Sequence, residues 1–252
     1  MAKEIYNQSI VRAGYIIDLF TVQNDKWSMK DLAKACNIPT TTIVPILKSL
    51  EMIGYLERDP DTKLYRIGMK FVKKAQLVTM GTDLRETAHK VLRELSFKYN
   101  LNTHLAVMDN GEMIYIDRCE AIVNTLIPSY IGKRIPSYCT ALGKAMLAFM
   151  NPKDVERIID VNKLTKYTPH TIDKWPELTK QLAGIREKGY AIDDEEYQLG
   201  GYCIGVPIFD SKNNAVASIS ISIPKMNKNF SKIDSIIMSI CEAGRIISNN
   251  VV

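Results

Sequence analysis

Residues 27–68 read WSMKDLAKACNIPTTTIVPILKSLEMIGYLERDPDTKLYRIG. Ser28 is placed to cap a helix. Asp31, three residues on, gives capping-box spacing, in which each side chain can satisfy an N–H that the first turn leaves without a partner. Leu32, Ala33 and Ala35 form the buried face of this helix, and Cys36-Asn37-Ile38 forms the turn after it. Pro39 suits the first residue of a third helix that runs to about Met52 and stops at Gly54. Residues 55–58 and 64–67 then alternate like strands about Asp59-Pro60-Asp61-Thr62. Two short helices around a tight turn, followed by a two-stranded ribbon, predict a winged helix-turn-helix. Double-stranded DNA is therefore the first candidate partner.

Upstream, Ile10, Ala13, Ile16, Ile17 and Phe20 recur at helical spacing and predict a first helix over residues 5–22. Downstream, residues 69–81 read as a linker helix, so the expected division is 1–68, 69–81 and 82–252. Beyond the linker, helical patterns at 82–99, 140–149, 152–161, 177–188 and 231–248 are mixed with strand patterns at 103–108, 112–119, 190–193, 203–209 and 216–223. Asn110-Gly111 marks a hairpin turn. Hairpins mixed with helices predict an α+β sheet domain, not a doubly wound nucleotide fold. The chain has no P-loop and no GxGxxG, so no cofactor is expected.

A helix-turn-helix puts the start of its second helix in the major groove. Thr40, Thr41 and Thr42 lie there, with hydroxyls for phosphate or base edges and methyls for thymine. Lys48 lies two turns on and suits the DNA backbone. Lys63 at the wing tip, Arg66 on the returning strand and Lys30 in the preceding helix are further phosphate candidates. Pro45 is the residue that fits badly. Inside a helix it removes one backbone donor and crowds the Thr41 carbonyl, at a cost of about 3 kcal/mol unless the helix kinks or starts late. No Arg or Lys lies between Thr40 and Leu47 for a bidentate guanine contact.

The 252 residues are enough for two domains with a sizeable core. No run of about 18 uncharged apolar residues suggests a membrane span. The polar start MAKEIYNQS is unlike a secretory signal, which makes a cytoplasmic location the expectation. Net charge is +5, of which residues 1–75 carry +4 and the remaining 177 residues +1. The excess sits where a phosphate-contacting surface needs it, although a solvated face gives the same sum. The five cysteines are odd in number and lack CxxC spacing, so they read as reduced thiols.

Two downstream segments carry chemistry. RIPSYCTALGKAMLAFM leads a strand-end loop into a helix near Thr140, and backbone N–H groups at such a helix start make a ready anion site. GYAIDDEEYQLGGYCIGVPIFD precedes ASISISIPK, in which Ser218, Ser220 and Ser222 point to one face of a strand and Ile219, Ile221 and Ile223 to the other. The serines then line either a site or solvent. The acidic run 193–196 reads by default as a solvated loop.

With SMKDLAKACNIPTTTIVPILKSLEMIGYLERDPDTKLYRIG, these segments make the whole chain resemble the IclR (isocitrate lyase regulator) transcription factors. The resemblance implies an N-terminal winged helix, a linker helix and a C-terminal GAF-like effector-binding domain. It implies homodimers or dimers of dimers on palindromic operators, with a small-molecule effector, such as an organic acid, held in the second domain. The matching positions are the backbone of Ala141 and Leu142 for a carboxylate, together with Asp193, Cys203, Ser220 and Ser222. A hydroxyl on the ligand would suit Asp193, whereas a bare carboxylate beside it would be repelled. Pro45 departs from the pattern, which commonly has a basic residue there, and so bears on the operator sequence.

Other classes compete. Catalysis needs a base for the best nucleophile, Cys203, and none of His89, His104 and His170 is tied to it by a local motif. A metal- or redox-responsive regulator would use Cys203, Cys139 and His170. A third alternative is a scaffold that does not bind DNA. If the two domains are coupled, ligand in the second changes operator affinity through the spacing of the reading helices.

Overall fold

The computed structural model describes residues 7–79, 83–121, 129–227 and 230–251. The chain divides into two compact units, Met1–Gly81 and Thr82–Val252.

The first unit holds α1 (Gln8–Asp18), α2 (Met29–Ala35), α3 (Thr40–Met52), β1 (Leu56–Arg58), β2 (Tyr65–Ile67) and α4 (Lys70–Thr79). Its core gathers Ile16, Leu32, Ile43, Leu47 and Leu56, all buried. Strands β1 and β2 pair antiparallel as the expected wing. Trp27 adds a bridge to Tyr65, and its indole N–H donates to the Leu19 carbonyl at 3.1 Å, tying the end of α1 to the wing. The first helix is shorter than expected at both ends, and the part of that reading at residues 5 and 6 lies outside the described residues.

Two local expectations need correction. Asp31 does not reach back to a backbone N–H: its N–H donates to Ser28 Oγ, and its carboxylate accepts the Ser28 hydroxyl at 2.6 Å. Pro39 is the N-cap of α3, not its first residue, because its ψ of 144° is extended.

The second unit holds α5 (Asp83–Tyr99), β3 (Asn102–Asp109), β4 (Glu112–Cys119), β5 (Arg134–Pro136), α6 (Ala141–Leu147), α7 (Pro152–Ile158), α8 (Trp175–Lys188), β6 (Ala191–Asp194), β7 (Gly201–Phe209), β8 (Ala215–Pro224) and α9 (Phe230–Ser248). The strands form one antiparallel sheet in the order β5-β4-β3-β8-β7-β6, confirming the α+β class. The Asn110-Gly111 turn has both residues at positive φ, 50° and 84°, as a tight hairpin requires. The short edge strand β5 was read only as a loop leading into a helix, since three residues are too few to show alternation.

Helices α5 and α9 cover one face of the sheet, where Leu92, Leu105, Ile219, Ile221 and Ile240 are buried together. Helix α6 covers the other face, with Leu142 and Met146 against Ala106, Met113 and Ile135. The isoleucines of β8 therefore point to α5 and α9. Ser218, Ser220 and Ser222 point to α6 and are themselves buried, at 0%, 2% and 7% exposure. A solvent-facing serine row is ruled out.

Helix α6 lies unusually close to its neighbours. A Cβ on Gly143 would sit 2.1 Å from the Ser137 carbonyl oxygen, and one on Gly205 would sit 2.5 Å from the Ala141 carbonyl oxygen. Both neighbours are backbone and cannot swing aside. We expect Gly143→Ala to destabilise the chain by about 3 kcal/mol in urea denaturation, at the upper end of overpacking costs. Gly184→Ala is the control: nothing lies within 4 Å of its Cβ position, and exchanging a mid-helix glycine for alanine gains up to about 1 kcal/mol. Equal effects at the two positions would contradict the close approach.

Candidate functional sites

In the first unit the predicted reading residues lie on α3. Ile43, Ile46, Leu47 and Leu50 face the core. On the opposite side Thr41, Pro45, Lys48 and Met52 form one exposed stripe, with Thr40 exposed at its start and Thr42 half-buried on its flank. The helix runs unbroken from Thr40 through Pro45 to Met52. Pro45 offers no N–H to the Thr41 carbonyl. Its own carbonyl accepts the Ser49 hydroxyl at 2.8 Å.

Lys30 and Lys63 are exposed. In the wing turn, Asp59 Oδ1 accepts the N–H groups of Asp61 and Thr62, and Lys63 stands at φ 60° with its ammonium 2.5 Å from the Pro60 carbonyl. Arg66 pairs with Glu57 directly across the ribbon at 2.9 Å. It can meet a phosphate only by sharing or leaving that carboxylate.

In the second unit the strand register brings together residues far apart in sequence. Asp193 lies opposite Cys203, Cys203 opposite Ser222, and Ser222 opposite Asn102, which makes one row across four strands. The next row is Gly205, Ser220 and His104. Above these rows lies the start of α6. Thr140 caps it, accepting the Gly143 N–H at 3.2 Å and donating to the Pro136 carbonyl at 2.7 Å. Ala141 and Leu142 follow, with N–H groups that have no carbonyl to meet inside the helix.

All six predicted effector residues, Ala141, Leu142, Asp193, Cys203, Ser220 and Ser222, line one cavity of about 30 Å³, whose wall also includes Tyr115, Tyr197 and Gln198. That exceeds the roughly 10–15 Å³ needed to hold one water molecule but falls well below the size of ordinary ligand pockets. A larger hollow of about 570 Å³ lies beside Lys188, Asp210 and Arg245. It is an open cleft whose Asp210 carboxylate is spent on its own turn, so size alone does not select it.

The acidic run is not a solvated loop. Asp193 and Glu196 are each only 6% exposed. The reason is Lys144 of α6, fully buried, whose ammonium donates to the Ile192 carbonyl at 2.6 Å and to Glu196 Oε1. Asp193 Oδ1 accepts the N–H groups of Glu196 and Tyr197, at 2.7 and 3.4 Å. At the surface of the same turn Lys225 holds Asp194 and Glu195. Burial raises the Asp193 carboxyl to about 7, against the pull of Lys144 and with a push from Glu196. The cluster of Lys144, Glu196 and Asp193 thus carries one net negative charge whenever Asp193 ionises.

Sequence reasoning missed Lys144 and also His104. The His104 ring is buried, 4.9 Å from the Tyr115 ring, with Nε2 2.9 Å from Ser129 Oγ and Nδ1 3.5 Å from Ser220 Oγ. Burial, with Arg118 and Lys133 nearby, lowers it to about 3, so it is neutral. A signal was available for Lys144: it is the only charged residue between Lys133-Arg134 and Lys153 in an otherwise apolar stretch.

The metal- or redox-responsive alternative does not assemble. Cys203 contacts Ser222 Oγ at 3.3 Å, and burial pushes its thiol up to about 12. Cys139 is fully buried and shifted the same way for the same reason, whereas the His170 side chain is exposed beside Glu195. Thiols held protonated by burial are poor nucleophiles and poor metal ligands. Among the described residues no three His, Cys, Asp or Glu side chains are grouped as a metal ion requires. Among the described residues no histidine is hydrogen-bonded to Cys203: His89 instead pairs with Asp117 at 2.8 Å. Among the described residues no helix is long and apolar enough to cross a membrane.

Known proteins share both units. Residues 9–60 match the IclR helix-turn-helix domain, and residues 76–249 match the bacterial transcriptional regulator IclR C-terminal domain. The Escherichia coli K12 HTH-type transcriptional regulator XynR is 34% identical over 215 residues, covering 85% of each chain. The crystal structure of Thermotoga maritima IclR is 30% identical and superposes with a TM-score of 0.80, covering 96% of this chain and 98% of that one. An IclR homologue from Microbacterium hydrocarbonoxydans, crystallised with 4-hydroxybenzoate, shares the fold at 21% identity and a TM-score of 0.84, covering 96% of this chain and 98% of that one. These relatives are regulators, not enzymes. The chain belongs to the IclR family of DNA-binding transcriptional regulators.

Proposed function

We propose that this regulator's operator affinity is set by a small hydroxy-carboxylic acid held in the cavity of the second unit. The observation that carries the reading is the convergence of six residues, from four separate segments, on one buried polar hollow. The Ala141 and Leu142 N–H groups and the Ser220 and Ser222 hydroxyls suit the carboxylate, and Asp193 takes the ligand's hydroxyl. A cavity of about 30 Å³ must widen to admit any such molecule, which favours acids of few carbons. The 4-hydroxybenzoate bound by the Microbacterium homologue also combines a carboxylate with a hydroxyl. On the DNA side, Thr40, Thr41 and Thr42 meet base edges, and Lys30, Lys48, Lys63 and Arg66 meet phosphates. The protein works in the cytoplasm as a homodimer or a dimer of dimers on a palindromic operator. Ligand binding changes the spacing of the two reading helices.

A thermal-shift screen of short hydroxy-acids, with 4-hydroxybenzoate included, tests the ligand class. A true effector raises Tm by mass action and shifts operator affinity in a binding titration. The Tm rise should be larger at pH 6 than at pH 8, since a second carboxylate is tolerated better beside protonated Asp193. If no acid shifts either quantity, the reading fails.

Asp193 also makes a prediction without ligand. Its folded carboxyl titrates near 7, well above the ordinary aspartate range, so between about pH 4 and 7 the folded chain holds a proton that the unfolded chain has lost. Stability conferred by that proton falls as pH rises across this window, by about 4 kcal/mol, and levels off above 7. Asp193→Asn keeps an acceptor for the Glu196 N–H and removes the slope. Denaturation midpoints of the variant should exceed those of the natural chain at pH 8. An unchanged slope would show that Asp193 is ionised throughout.

A further inference from the structure

The reading stripe of α3 has unusual chemistry. Along Thr41, Pro45, Lys48 and Met52, all exposed, there is one cation and no guanidinium. The first two turns offer threonine methyls and the proline ring. Ser49, on the shoulder of the stripe, has its hydroxyl committed to the Pro45 carbonyl at 2.8 Å, so its proton is not offered outward. Because α3 is continuous through position 45, Thr41 and Pro45 stand one turn apart on the same face and present a contiguous apolar edge.

In the major groove only thymine carries a methyl group, and guanine is read mainly by Arg or Lys on O6 and N7. We propose that Thr41 and Pro45 are specificity-determining residues that read thymine methyl groups, so that the operator steps facing the first two turns of α3 are A·T pairs. Lys48 fixes the helix on the backbone. The proposal rests on α3 being the groove-entering helix of this DNA-binding family. Neither residue supports the core of the first unit, and replacing a mid-helix proline by alanine favours the helix, so Pro45→Ala tests recognition without threatening the fold.

The full-length protein is put through in vitro selection from random duplexes. Each thymine of the enriched sequence is then replaced singly by deoxyuridine, which removes only the methyl. At the steps facing α3, affinity should fall about fourfold per methyl, the value of one buried carbon. In Pro45→Ala one of these penalties should vanish, and in Thr41→Ser, which keeps the hydroxyl, an adjacent one. Pro45→Arg should move the preference at its step towards guanine. Enriched sites with guanine at the contacted steps, or deoxyuridine penalties that are absent or unchanged in both variants, would overturn the proposal while leaving α3 as the reading helix. No enriched sequence at all would overturn base reading by α3 itself.

Discussion

Strand β8 is buried on both faces, and the placement of everything else in the second unit depends on its alternation. Ile219, Ile221 and Ile223 seal against α5 and α9, while Ser220 and Ser222 face the start of α6. A slip of one residue against β3 or β7 would exchange the two sets, driving isoleucines into the cavity and serines into the apolar layer. The core therefore enforces the register, and the register assembles the rows Asp193–Cys203–Ser222 and Gly205–Ser220–His104. The polar hollow follows from the packing of the opposite face.

What could be read from the sequence was whatever is written in local period or turn chemistry. The wing, the Asn110-Gly111 hairpin and the two-faced β8 all belong to this class. So does the run of a short amphipathic helix to Met52, which Pro45 does not interrupt. Interactions closed by tertiary pairing were hidden. The acidic run reads as solvent-facing and Lys144 gives no local sign of burial, yet Lys144 and Glu196 pair across 52 positions. Each looked ordinary because its partner was out of sight. Arg66 was likewise read as a free cation, because the cross-strand position of Glu57 is known only once the ribbon is formed. The effector positions were named through family resemblance, and their spacing alone would not have grouped them.

The two units handle charge in opposite ways. The first keeps its described lysines on the surface around a wholly apolar core, which suits attraction to a polyanion at long range. The second is nearly neutral overall and buries a lysine with two acids inside. Buried charges are costly unless each is met by a partner, so the interior of the second unit is poised to respond to one added or removed charge. A surface patch, screened by water and salt, lacks that sensitivity.

Gly143 and Gly205 let the backbone of α6 press directly on its neighbours. One wall of the cavity is thus made of peptide groups, which every amino acid carries, so substitution cannot redraw it without breaking the contact that holds it there. Only the facing wall of side chains is open to mutational change. Divergence in what such a hollow admits must run through that half, with the main-chain half inherited as a fixed template.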